Sequence, residues 1–183
     1  MHDRKALGKD GPLAISYCKE FSPSHRLWHD TLKNLGVQTN EAHLSGSNVG
    51  AWTSITAVDP KSMTRSWSTP AYYLPNKDRE NLAVLTEATV TDIVLELVGS
   101  EWFAKGVRFQ QGVKEYTAMA SDEIILCAGS IASPQLLELS GIGNPSVLEQ
   151  AGIKVKVANP NVGEHLQDHI SKHAKKTNRG VDR

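Results

Sequence analysis

Three histidines, His165, His169 and His173, recur every four residues, with Asp168 beside the second. On a helix this spacing sets three imidazoles on one face, a pattern able to chelate a metal ion. The series runs into the unpatterned tail SKHAKKTNRGVDR, which offers neither a rigid frame nor the outer hydrogen-bond partners that metal sites use. A solvated helix end is the plainer reading, and no metal is expected. The second stretch with chemical potential is EIILCAGS, where Gly129 follows an apolar run. A glycine there lets a backbone approach a phosphate or a nucleotide, although ordinary packing uses the same turn. No GxSxG elbow, P-loop or GxGxxG fingerprint occurs, and no local pattern selects one of the many serines as a nucleophile. Cys18 and Cys127 have neither CxxC nor metal-like spacing, so they are expected to be buried thiols rather than a disulfide.

The elements around that turn follow from residue type. Glu123 to Cys127, rich in Ile and Leu, suits a strand buried on both faces. After the turn at Gly129, Ser133 is a good N-cap and Pro134 fits the first helical position, so the spacing predicts a helix from there. Leu136, Leu137 and Leu139 give that helix an apolar side, and Gly141 can stop it. Upstream, Gly11 to Lys19 begins like a strand, and SPSHRLWHDTLKNLG reads as a helix with Ser22 as cap and Gly36 as stop. Leu27, Trp28, Thr31, Leu32 and Leu35 fall on one face of it. From Val37 to about Pro75 the chain is polar and aperiodic, either lining a site or crossing a surface. Leu82 to Thr86, Thr89 to Val98, KGVRFQ and GVKEYTAMA read as strands, the later ones forming an antiparallel meander. NPSVLEQAG is a helix capped by Asn144, and IKVKV is a further strand.

Composition narrows the partners. With 183 residues the chain can bury a core as one domain or as parts of two. Twenty basic and twenty acidic residues give no net charge, which argues against nucleic acid or an anionic membrane as partner. No apolar stretch approaches the roughly 20 residues that span a bilayer, and MHDRKALGKDG has no signal-peptide core. Localisation stays open.

GSIASPQLLELSGIG, followed by NPSVLEQAGIKV and NVGEHLQDH, resembles the second signature region of the glucose-methanol-choline oxidoreductases, the flavoprotein family of glucose oxidase, aryl-alcohol oxidase and choline dehydrogenase. GPLAIS, TRSWSTPAYYLP, RENLAVLTEATVTDIV and KGVRF extend the likeness from about Gly11 to His169. The resemblance implies an α/β architecture: a partial FAD-binding, Rossmann-like domain with its β-meander, plus part of a substrate-binding domain. It assigns residues 1–75 to the start of the substrate-binding portion and 76–168 to the second half of the FAD-binding domain, leaving 169–183 as a tail expected to be disordered.

The family places a valine backbone against the adenine of FAD in the strand after NL-x-VLT, which implies Val90 here. It passes the adenosine side of FAD along a small-residue turn, which implies Ala128 and Gly129. The family pattern accounts for Asp168 and His169 without a metal. HLQDH stands where NLQDH is usual, so no role is transferred to His165. The glycine-rich βαβ unit that takes the FAD pyrophosphate, and the catalytic histidine with its partner, have no counterpart in this chain. The implied function is FAD-dependent oxidation of a CH–OH donor, a small alcohol in the longer parent. This chain contributes FAD-binding elements, no catalytic residue, and is expected to be inactive alone. A non-catalytic remnant or interaction module of the same ancestry, and a metal-dependent protein using the histidine series, are the other readings.

Overall fold

The computed structural model describes residues 8–40 and 43–168. The chain divides into two compact units, the first ending at Val84 and the second beginning at Leu85.

In the first unit, helix α1 (Pro23–Asn34) starts at the expected Ser22–Pro23 pair and closes at Gly36, where the N–H groups of Gly36 and Val37 return to the Lys33 and Leu32 carbonyls. Ser22 holds the extended N-cap conformation, but its hydroxyl pairs with Ser24 Oγ and caps no backbone N–H. The face turned towards the rest of the unit differs from the expected one. His25, His29 and Leu32 are half-buried, whereas Leu27, Trp28 and Leu35 are 64%, 63% and 74% exposed. A polar anchor accounts for this: Thr53 hydrogen-bonds the imidazoles of His25 and His29, which turns that side of α1 inward.

Gly11 to Lys19 does not form a strand. It makes a single antiparallel bridge, Ser16 to Thr56, with reciprocal backbone bonds of 2.9 Å. Short stitches of this kind organise the long aperiodic segment. Ala14 N–H donates to the buried Ser66 Oγ, Ser16 Oγ donates to the Val58 carbonyl, and Thr39 bridges Ala51. A π-helical turn (Thr69–Tyr73) runs into a 3-10 turn (Leu74–Asn76).

The second unit is built on the meander. Strands β1 (Ala88–Val98), β2 (Glu101–Gln111) and β3 (Lys114–Met119) pair antiparallel in chain order through two-residue links. The β1–β2 register shifts between Val90 and Asp92 and again between Val94 and Leu95. Such bulges bend a strand and increase its twist. Helix α2 (Gly129–Leu139) packs on β1 and is followed by β4 (Ile142–Gly143), α3 (Pro145–Gln150) and β5 (Val157–Ala158). As expected, the Asn144 side chain caps α3 by accepting the Ser146 N–H. The small core holds Ile93, Leu136 and Leu148, with the hydroxyl of Ser140 buried among them.

Three expectations are corrected here. Leu82 to Thr86 and Glu123 to Cys127 have no ladder partner among the described residues, and only Val157 of IKVKV is paired, parallel to Ile142. An apolar run becomes a strand only when a neighbour supplies its hydrogen bonds, and composition cannot show whether that neighbour is present. Helix α2 begins at Gly129, ahead of Ser133, so Pro134 lies inside it. Ser133 Oγ reaches back to accept the Ala128 N–H at 3.1 Å instead of capping its own first turn. Both cysteines are free, as expected, yet exposed, because the segments carrying them are covered by nothing among the described residues. The tail assigned to residues 169–183, including His169 and His173, lies outside the described residues.

Candidate functional site

The candidate site lies along β1 and the turn that opens α2. Ala128 and Gly129 are exposed, and Gly129 adopts φ 90°, a conformation that side-chain-bearing residues rarely hold. A Cβ placed there would meet no protein atom within 4 Å. The glycine is therefore demanded by the backbone and not by crowding, and the space in front of the turn is open. The first N–H groups of α2 have no intrahelical acceptors, so the turn presents donors and the positive end of a helix dipole towards that space.

Val90 sits on β1 opposite Phe109, next to the first bulge, and is 39% exposed. Because β1 is the outer strand of the meander, part of its backbone hydrogen-bonding capacity is free of β2. Val90 and the Ala128–Gly129 turn belong to one packed unit. Helix α2 is tied to β1 at its C-terminal end. There Ser140 Oγ accepts the Ile93 N–H at 2.8 Å and donates to the Leu136 carbonyl at 2.6 Å. Ser140 is 2% exposed, so this hydroxyl pins the helix to the strand and is not a nucleophile presented to substrate.

Two features brace this frame. Gly141, at φ 89°, has the Lys154 carbonyl 2.6 Å from where a Cβ would stand, which lets the chain after α2 turn tightly against the segment leading to β5. Across the bulge, Asp92 takes bonds from Arg108 Nε at 3.0 Å and Nη2 at 2.5 Å. The Arg108 guanidinium holds the Asp92 carboxyl below the usual carboxylate range, against the opposing effect of its partial burial.

Beside α2, Ser130, Gln135, Glu138, Gly163, Glu164 and Leu166 line an open groove of about 290 Å³. His165 stands in that loop at φ 59°. Asn, Asp and His are the side-chain-bearing residues that enter this left-handed region most readily, so a histidine can fill a position where the resembling family uses asparagine. Among the described residues no group of three or more His, Cys, Asp or Glu converges as a metal site.

Exposed backbone at a left-handed glycine with helix N–H donors behind it is an arrangement that a phosphate or nucleotide can approach closely. Residues outside that frame also converge. His25 and His29 of α1 share one hydroxyl, that of Thr53. Their spacing of four on a helix is the only sequence signal that marks them; the Thr53 contact is tertiary and has none.

Comparison with known proteins identifies the family. The family model described as GMC oxidoreductase matches residues 4–171. The chain is similar to the GMC oxidoreductase family protein Mala s 12 of Malassezia sympodialis, 36% identical over 167 residues, which cover 90% of this chain and 27% of that protein. It is 39% identical over 165 residues to the oxygen-dependent choline dehydrogenase of Chromohalobacter salexigens, covering 89% of this chain and 28% of that enzyme. Among solved structures, an FAD-dependent oxidoreductase from Chaetomium thermophilum superposes with a TM-score of 0.79 at 30% identity, over 86% of this chain and 27% of that one. The chain thus spans between a quarter and a third of the length of these relatives.

Proposed function

The chain belongs to the glucose-methanol-choline oxidoreductases, whose cofactor is FAD, and on that premise we propose that it forms part of an enzyme oxidising the CH–OH group of a small alcohol. Its contribution is to the adenosine side of the cofactor. Val90 offers backbone at the open edge of β1, and Ala128 and Gly129 offer a turn that a dinucleotide can approach closely. Residues 76–168 form the second half of the FAD-binding domain, and residues 1–75 open the substrate-binding portion. The observation that carries this reading is Gly129 at φ 90° with open space where a Cβ would be, at the exposed start of a helix.

When bound, FAD supplies the hydride acceptor for the carbinol carbon. The residues of this chain orient and hold. The Ser140 hydroxyl keeps α2 against β1, so that the turn and Val90 stay in a fixed relation. None of its described residues is assigned as the base that removes the hydroxyl proton, and the chain alone is expected to turn over no alcohol. The test is visible absorbance of the purified chain after addition of FAD and removal of the excess. Retained flavin bands that disappear in Gly129→Val support a binding module. A colourless wild-type chain refutes binding by these elements alone and assigns FAD retention to the longer parent.

A further inference from the structure

The first unit carries a second cluster that the flavin reading does not use. His25 and His29 stand four residues apart on α1, a spacing that places side chains one above the other on a helix. Their Nε2 atoms lie 3.1 Å and 3.3 Å from the same atom, Thr53 Oγ1. The ring centroids are 5.1 Å apart, and the His25 ring is held by stacking on Phe21 at 4.5 Å with an interplanar angle of 21°. The cluster lines a groove of about 620 Å³ that opens to solvent beside Trp28 and Trp52.

A hydroxyl has one hydrogen to donate. Thr53 Oγ1 can therefore donate to at most one of the two Nε2 atoms and has lone pairs to accept from the other or from both. The same convergence aims two nitrogens at one small region from a rigid helix. If Thr53 turns its hydroxyl aside, both Nε2 lone pairs can face a cation at about 2.0–2.1 Å, with water filling the remaining positions.

We propose that His25 and His29 form a two-histidine site for a borderline divalent transition-metal ion. Imidazole pairs favour zinc, nickel and copper over magnesium or calcium, which take oxygen donors. No third His, Cys, Asp or Glu among the described residues completes the set, so the ion keeps open positions and binds by chelation between two helical turns. Thr53 competes with the ion for both nitrogens.

The test uses the full chain with Ni²⁺ as the probe, followed by NMR, because a paramagnetic ion broadens signals around its own position. Broadening centred on Thr53 and the Trp52 indole is expected. It is expected to vanish equally in His25→Gln, in His29→Gln and in the double variant, since a chelate lost at one ligand is lost altogether. Glutamine can still hydrogen-bond Thr53 and so keeps the fold comparable. Thr53→Val removes the competitor and should bind Ni²⁺ at least as tightly as wild type. Broadening that persists in both single variants, that halves in each, or that centres on other histidines overturns the site. So does loss of binding in Thr53→Val with the fold intact. Flavin retention is read separately and bears on neither outcome.

Discussion

Replacing Ser140 by alanine isolates the contact that joins helix to sheet. The hydroxyl has two bonds, and only one loss matters. The Leu136 carbonyl that it donates to also accepts the Ser140 backbone N–H at 3.2 Å, so it stays satisfied in the variant. The Ile93 N–H is different. It points away from β2 on the outer strand of the sheet, Ile93 is 6% exposed, and Ser140 Oγ is its acceptor. Removing the oxygen leaves a buried amide unpaired, at a cost of about 1–3 kcal/mol. If that cost falls on local opening between the two bulges, the Ile93 amide should exchange about 5- to 150-fold faster, since each 1.4 kcal/mol is roughly a factor of ten. Amide exchange by NMR, with the flanking β1 amides as internal controls, measures this, and a denaturant melt of the same sample gives the global loss. An Ile93 amide no more labile than its neighbours, in a variant whose melt is unchanged, would refute the assignment of Ser140 as the pin.

Gly141→Ala should be worse than Ser140→Ala, because a left-handed φ and a carbonyl 2.6 Å from the new methyl act together; a loss above about 2 kcal/mol in a urea melt is expected. Gly129→Ala meets backbone strain without crowding, so about 1 kcal/mol of stability should go, together with any flavin that the wild-type chain retains, as read by absorbance after desalting. For Asp92 the folded carboxyl binds its proton less readily than the unfolded one, so its stabilisation is present above the ordinary carboxylate pKa of about 3.9 and is lost as pH falls through the depressed folded value. Asp92→Asn should flatten that acid limb in pH-dependent thermal melts while costing about 1 kcal/mol or less at neutral pH, because Arg108 is half-exposed.

Elements closed by local signals were legible in the residues. The meander declared itself through alternating β-rich runs and short polar links, α1 through Ser22, Pro23 and Gly36, and α3 through the Asn144 cap. What depends on distant partners was not. The hydroxyl of Ser140 and the amide of Ile93 are 47 positions apart, and nothing in either neighbourhood announces the other. Ser133–Pro134 reads as a cap in isolation, whereas α2 already begins at Gly129 and Ser133 bonds backwards to Ala128. The exposure of Leu27, Trp28, Cys18 and Cys127 depends on what covers them, which composition does not encode. The flavin assignment came from a likeness of motifs and not from spacing, which left the CAGS turn divided between nucleotide approach and plain packing.

The pairing pattern of the meander also sets an order of events in folding. β1, β2 and β3 join only to sequence neighbours, all within Ala88–Met119. Such low contact order makes this hairpin pair the fast-forming part of the second unit. Among the described residues the apolar runs on either side, Leu82 to Thr86 and Glu123 to Cys127, have no ladder partner. A partner outside this local frame would be reached only at a larger loop-closure entropy and on a slower clock. During synthesis a structured hairpin pair would therefore form early, flanked by two apolar segments whose exposed surface makes them prone to association.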